Sequence, residues 1–207
     1  MLEDISSSTN QMCVDLLGKI CSKTRDQLLS LYFPPLSEWQ TWIHPQAHCI
    51  YEISLHLSST LSSKDFESCF DLIESTSSDH YKNSIVGWNP LFKRNEMKQQ
   101  EMKYILVKFR ENVQGFMSFM PSYEDGTPVL YCYEIHLLPS LHGTGLALTL
   151  MKLLESVAAK IPIIEKVMLT CFTRNTRAFR FYTKIGYEID PSTPPREAIA
   201  KWYKDWN

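Results

Sequence analysis

The fold this sequence predicts is a mixed sheet with helices packed on it, the α/β (α+β) class, and three observations predict it. Three strand-like runs at 103–110, 115–123 and 129–138 follow one another across turns of hairpin length, the pattern of an antiparallel meander. After residue 139 the period changes, and helix, strand, helix and strand alternate, with two glycines in the first crossover loop. The 207 residues are 44% hydrophobic and 21% charged, the proportions of one globular domain or of one domain with an arm.

From the N-terminus, residues 4–33 carry Ile5, Met12, Val14, Leu16, Leu17, Ile20, Leu28, Leu29 and Leu31 at helical spacing, and Pro34-Pro35 ends the run. This predicts a helical arm over 1–45 packing on a domain over 46–207, since an amphipathic helix ordinarily buries its apolar face. An arm that holds a partner is the alternative. The alternation from Cys49 to Leu57 predicts a strand, and Ser62 to Asp65 offers a cap for a short helix with Phe66, Cys69, Phe70, Leu72 and Ile73 as its apolar stripe. Residues 75–88 are polar apart from a few apolar and aromatic positions such as Tyr81 and Trp88, and read as a surface loop feeding a charged helix over 90–102. After the meander, Leu146, Leu150, Met151, Leu153, Leu154 and Val157 predict one buried helix face over 146–160. A strand at 165–171, a helix at 175–185 and a strand at 187–190 complete the order.

Composition excludes several classes. No apolar run of ~18 residues is present to span a bilayer. With 21 Lys+Arg against 23 Asp+Glu, the net charge of −2 supplies no bulk field for a polyanion, so neither a membrane nor a nucleic acid is expected as a partner. The six cysteines, at 13, 21, 49, 69, 132 and 171, show no C-x-x-C spacing and read as apolar packers in a reducing compartment. The N-terminus has neither a basic start nor an apolar segment, so nuclear and cytoplasmic residence is expected. A monomer is expected as well. His44 and His48 share an i, i+4 spacing, but Pro45 and the lack of nearby carboxylates argue against a metal.

The crossover loop Ser140-Leu141-His142-Gly143-Thr144-Gly145 lies between a strand and a helix, where glycines let a backbone approach a ligand and the helix start suits a pyrophosphate. By itself the spacing also fits a tight turn without a ligand. A P-loop needs a Gly-Lys-Ser/Thr end that is absent, and the dinucleotide fingerprint needs a small residue where Leu148 stands.

Strand, [QR]-x-x-G-x-[GA], helix, then a strand and an Asn-containing turn resembles the GNAT superfamily of acetyl-CoA-dependent N-acetyltransferases. Within it, 129–134 before the loop, 166–170 after the helix and 187–190 resemble the N-alpha-acetyltransferase D branch, which acetylates the N-terminal amine of histone H4 and histone 2A. The likeness runs over about 69–190 and is weak over the arm. It implies a GNAT fold, acetyl-CoA as co-substrate, no metal, and the N-terminal tails of histones H4 and 2A as partners. It implies further that Glu134 takes the proton of the attacking amine, with Tyr81 and Tyr133 beside it. Tyr81, Glu124, Tyr131, Tyr133 and Thr170 would meet the substrate. Ile135, His136, Leu137, Leu141, His142, Gly143, Thr144, Gly145, Leu146, Asn175 and Tyr182 would meet the coenzyme, with Tyr182 also the acid for the departing thiolate.

Three departures stand out against that pattern. Ser140 occupies the place of the Gln or Arg that opens the loop, removing a cation near the phosphates. Ser122 replaces an acid and Val86 a Trp in the substrate region, while Glu124 keeps its acid. The family's last strand must come from 202–206 or be missing.

Spacing sets one condition on the site. In a regular strand Tyr131, Tyr133 and Ile135 share a face and Glu134 takes the other. For Glu134 to join the two tyrosines, the strand needs a bulge here. A tail beginning Ser-Gly-Arg would bring a cation that Glu124 can pair. Each residue also has a plainer role: Glu134 as a salt-bridged strand residue, the tyrosines as core, Asn175 as an N-cap, Cys132 as a packer, Glu124 as a turn acid. The competing functions are acetylation of lysine side chains or small amines, and a non-catalytic coenzyme-binding or interaction module.

Overall fold

The structure is a computed structural model describing residues 2–193 and 199–205, with side chains from residue 11 onward. The predicted single N-terminal helix is two: α1 (Leu2–Cys21) and α2 (Arg25–Tyr32). The break has a local cause. Thr24 caps α2 by accepting from Gln27 N while the Gln27 side chain accepts from Thr24 N, a capping box that starts a new helix.

Eight strands form one sheet in the order β1-β2-β3-β4-β5-β6-β8-β7. They are β1 (Thr41–Ile43), β2 (Ile50–Leu57), β3 (Lys103–Phe109), β4 (Asn112–Glu124), β5 (Thr127–Leu137), β6 (Lys166–Phe172), β7 (Glu188–Ile189) and β8 (Ile199–Asp205). The meander is β3-β4-β5, antiparallel throughout; β5 and β6 alone pair in parallel among the described strands. Strand β8 supplies the last family strand, pairing with β6 from Lys166↔Asp205 to Phe172↔Ile199; Trp206 lies outside the described residues.

Four more helices are α3 (Ser63–Lys82), α4 (Pro90–Met97), α5 (Leu146–Ala158) and α6 (Thr176–Lys184). Residues 75–82 correct the expectation of a loop: α3 runs 20 residues from its Ser62 cap and takes them in. Helix α4 is shorter than the charged helix expected over 90–102.

Alternation on the strands sorts two cores onto opposite faces of the sheet. On β3, Ile105 and Val107 join Leu17, Ile20 and Leu28 of α1 and α2 and Leu150, Met151 and Leu154 of α5. Tyr104 and Leu106 point the other way, into Phe66, Cys69, Phe70 and Ile73 of α3 and Met97 of α4. The expected arm therefore shares the main core with the rest of the chain. Strand β1, which lies inside its span, is hydrogen-bonded into the sheet. Fully burying side chains of this size is worth about 1.5–3 kcal/mol each, so Leu17, Ile20, Leu28, Phe33 and Trp39 tie the arm to the domain.

Candidate active site

Two irregularities of β5 make the site. First, Ser118↔Glu134 is followed in the β4 register by Phe119↔Cys132, so Tyr133 has no partner and forms a bulge. Leu130 and Cys132 point into the α5 core, and so do Ile135 and Leu137. The extra residue sets Tyr131, Tyr133, Glu134 and His136 together on the α3 face: Tyr131 and Tyr133 have ring centroids 4.9 Å apart, and His136 stacks on Phe116 of the α3 core. The bulge required by the spacing is present.

Second, β5 and β6 pair only from Val129↔Lys166 to Cys132↔Leu169, although both strands run on to Leu137 and Phe172. Beyond that point they part, and a cleft of about 1040 Å³ opens between them. Its walls include Tyr81, Tyr133, Glu134, Ile135, His136, Leu137, Leu141, His142, Gly143, Gly145, Thr170, Asn175 and Tyr182, thirteen of the residues singled out from sequence. Four others lie off the walls. Tyr131 is buried behind Tyr133 and bonded to Thr170, the Leu146 side chain is core, the Thr144 hydroxyl donates to Leu141 O, and Glu124 stands near the tyrosine pair.

Glu134 is the centre of a buried polar cluster. Its Oε1 accepts from Lys93 Nζ at 2.9 Å and lies 3.5 Å from the Tyr81 hydroxyl; Oε2 is 2.6 Å from His136 Nε2. His136 Nδ1 is 2.6 Å from Thr76 Oγ1, and Lys93 also donates to Glu96 Oε1 at 2.6 Å. Burial pushes the Glu134 carboxyl up, but the Lys93 ammonium and His136 outweigh it and hold it at about 2. Burial opposes the charge on Lys93, yet Glu134, then Tyr81 and Glu96, reverse this and hold its pKa above the ordinary lysine range. Both partners are thus ionised across the neutral range. Burial raises the phenols of Tyr81, Tyr131 and Tyr182, and burial with nearby Glu124 pushes Tyr133 up to about 12, so all four are protonated donors.

An aromatic wall closes the cleft around Tyr81: Phe172 lies 4.8 Å and Trp88 5.4 Å from its ring, and Lys93 Nζ sits 4.8 Å over it. Cys132 is buried and its thiol pKa is raised by that burial and by Glu134, so it is a neutral packer rather than a nucleophile. Asn175 caps α6, its side chain accepting from Ala178 N.

At the other end of the cleft, Gly145 is the N-cap of α5 with φ 92° and makes no side-chain cap. Gly143 also has positive φ, and a Cβ on either glycine would stand in open space, so the backbone conformation rather than crowding calls for glycine. The first-turn N–H groups of α5 have no helical acceptor and no side-chain cap, which fits an anion. The structure also changes how the loop is read: with the helix starting after Gly145, His142-x-x-Gly145-x-Ala147 fits the family spacing, and Ala147 lines the cleft.

Lys93, Glu96, Thr76 and Arg177 were not singled out from sequence. Lys93 and Met97, at i and i+4, are the buried pair of α4, whereas its apolar Leu91 and Phe92 are exposed, so apolar spacing does not single out the buried face. Among the described residues no group of three or more His, Cys, Asp or Glu is placed to hold a metal.

A model of the acetyltransferase (GNAT) family matches residues 66–187, and the chain belongs to that family. Among curated proteins, N-alpha-acetyltransferase 40 of Saccharomyces cerevisiae is 27% identical over 165 residues, 69% of this chain but only 58% of the yeast protein's length. Among solved structures, the GNAT domain of S. lividans PAT superposes with a TM-score of 0.59 over 84% of this chain and 99% of its own, at 12% identity. Arabidopsis thaliana Naa50 in complex with the bisubstrate analogue CoA-Ac-MVNAL gives 0.52 over 74% and 99% at 17% identity. The PaiA N-acetyltransferase of Thermoplasma acidophilum in complex with coenzyme A gives 0.54 over 75% and 99% at 16% identity. These superpositions establish the GNAT fold.

Proposed function

We propose that this protein is an N-terminal acetyltransferase that moves the acetyl group of acetyl-CoA onto the α-amine of a protein chain. The observation that carries the reading is the Glu134 carboxylate, brought by the Tyr133 bulge to the aromatic end of a cleft whose other end is an uncapped helix start. Acetyl-CoA supplies an activated thioester. Gly143, Gly145 and the N–H groups opening α5 would hold its phosphates, and the β5 edge beyond Cys132, which faces no strand, would take its arm.

The residues of the chain then do three things. Tyr81, Trp88, Phe172 and Tyr133 exclude water and seat the amine at a closed end. A free α-amine has a pKa of ~7.7–8.0, so about a tenth or more is neutral at pH 7 and a strong base is unnecessary. A carboxyl held at about 2 is a poor proton sink, so Glu134 acts as a fixed negative charge facing the positive charge that grows on the attacking nitrogen. Tyr182, kept protonated by burial, lines the cleft as a donor for the leaving sulfur, and the proton released by the acylated nitrogen replaces the one it gives, so amine and thioester become amide and thiol.

The substrate class within this reading is a basic tail of the histone H4 and histone 2A type, met in the nucleus or cytoplasm. Glu124 supports it: its Oε1 accepts from Ser122 at 2.9 Å, it lies close enough to Tyr131 and Tyr133 to raise both, and no cation among the described residues pairs with it. Ser122, standing where the branch has an acid, serves to orient that carboxylate.

The test is incubation with acetyl-CoA and two peptides, one with a free Ser-Gly-Arg-Gly start and one N-blocked but containing lysines. Acetylation of the free start is expected. Acetylation of the blocked peptide alone would make this a side-chain enzyme, and acetylation of neither would leave a coenzyme-binding module.

A further inference from the structure

Arg177 connects the basic face of α6 to the glycine loop. Its Nη1 donates to His142 Nδ1 at 2.6 Å, and His142 Nε2–H donates to the Leu137 carbonyl at 3.0 Å. A neutral imidazole has one N–H; with that spent on Leu137, its free lone pair holds the guanidinium. Burial, then Arg177 itself, lowers the His142 pKa, in keeping with this neutral tautomer. Both side chains line the cleft beside Gly143 and Gly145. Arg177 is exposed, pairs with no carboxylate among the described residues, and uses one of its five N–H donors here.

The surrounding charge has one sign. From Lys166 to Tyr187 the sequence has no acid and carries Lys166, Arg174, Arg177, Arg180 and Lys184, in a chain whose net charge is −2. The loop itself has no cation to offer a phosphate: its opening position is Ser140 in one register and the neutral His142 in the other.

We propose that Arg177 is a phosphate-binding residue that grips the pyrophosphate of coenzyme A from α6, with His142 as the positioning residue that aims it. The inference rests on the acetyl-CoA reading above and adds the residue that restores the charge missing from the loop. A guanidinium presents paired donors to phosphate, and the uncapped N–H groups of α5 present theirs from the facing side.

Isothermal titration calorimetry with coenzyme A, dephospho-coenzyme A and pantetheine tests this without any acyl acceptor. Arg177→Ala is expected to weaken coenzyme A and dephospho-coenzyme A equally, by about tenfold to a hundredfold, and to leave pantetheine unchanged. Arg177→Lys retains part of the affinity, His142→Ala loses several-fold, and Arg180→Ala, which is off the cleft wall, stays within twofold. Thermal melts confirm that these substitutions leave the fold intact. An Arg177→Ala affinity within twofold of the parent overturns the proposal. So does a loss confined to coenzyme A, which would place the arginine on the 3′-phosphate, or an equal loss in Arg180→Ala, which would make the effect a bulk field. A parent chain that binds no coenzyme A overturns the acetyl-CoA reading as well, whereas normal binding with no peptide acetylation removes only the proposed acceptor.

Discussion

Replacing Lys93 with Met removes the ammonium that keeps Glu134 ionised and nearly fills the same volume. The side chains of the pair are only 6% and 9% exposed, so solvent cannot take over. Glu134 moves from its ordinary value of 4.5 to about 2 on folding, and at 1.36 kcal/mol per unit this is about 3 kcal/mol. Breaking a buried pair on one side costs ~3–5 kcal/mol, the same order. The sign follows from linkage: a depressed carboxyl contributes stability above its unfolded pKa and loses it as pH falls toward the folded one. The parent therefore keeps this contribution down to about pH 4.5 and sheds it toward 2, while in Lys93→Met the carboxyl, pushed up by burial, takes a proton at higher pH. Urea unfolding followed by tryptophan fluorescence should show a deficit of about 3 kcal/mol at pH 7 that narrows by pH 4. The double variant Lys93→Met/Glu134→Gln should recover most of it. A deficit below about 1 kcal/mol at pH 7, or one independent of pH, would refute the reasoning.

Glu124→Gln should raise KM for a Ser-Gly-Arg peptide by roughly threefold to tenfold, as expected for a half-exposed charge-assisted pair, and leave KM for the Arg→Ala peptide unchanged; steady-state kinetics on both peptides checks this. Gly145→Ala should cost about 1–2 kcal/mol in urea unfolding, because φ is 92° while the added Cβ meets nothing within 4 Å. With Glu134 ionised throughout, kcat/KM should rise about tenfold per pH unit up to the amine pKa of ~7.7–8.0 and then level. An acidic limb between pH 4 and 6 that Glu134→Gln abolishes would restore the carboxylate as the base.

What was legible in the sequence was what period and turn chemistry encode locally. The meander, the crossover loop and the α5 stripe all follow from spacing, and so does the bulge, since Glu134 cannot share a face with two tyrosines on a strand of period two. The failures have tertiary causes. Ser75 to Asp79 reads as loop because Ser and Asp compete for backbone bonds, yet α3 holds through it, since Thr76 reaches His136 and Tyr81 reaches Glu134 from its last two turns. Strand β1 is three residues long and stands on a hairpin turned by His48 at φ 53°, too short for alternation to show. Lys93 was hidden because α4 has eight residues, barely two turns of period.

Those same tertiary contacts bear on why a lysine is buried here at all. A buried ion pair is weak as a source of net stability, since apolar residues of like volume often do as well or better. The Lys93–Glu134 pair is buried beside Tyr81, with side chains only 6% and 9% exposed. What an apolar pair cannot supply is a carboxylate that stays charged while closed off from water. The bulge aims that charge into the cleft, Lys93 prevents its protonation, and His136 with Thr76 fixes its second oxygen, so three elements are tied to one atom group. The cost of burying Lys93 is thus borne at the place where a preorganised negative charge does most for an amine turning cationic.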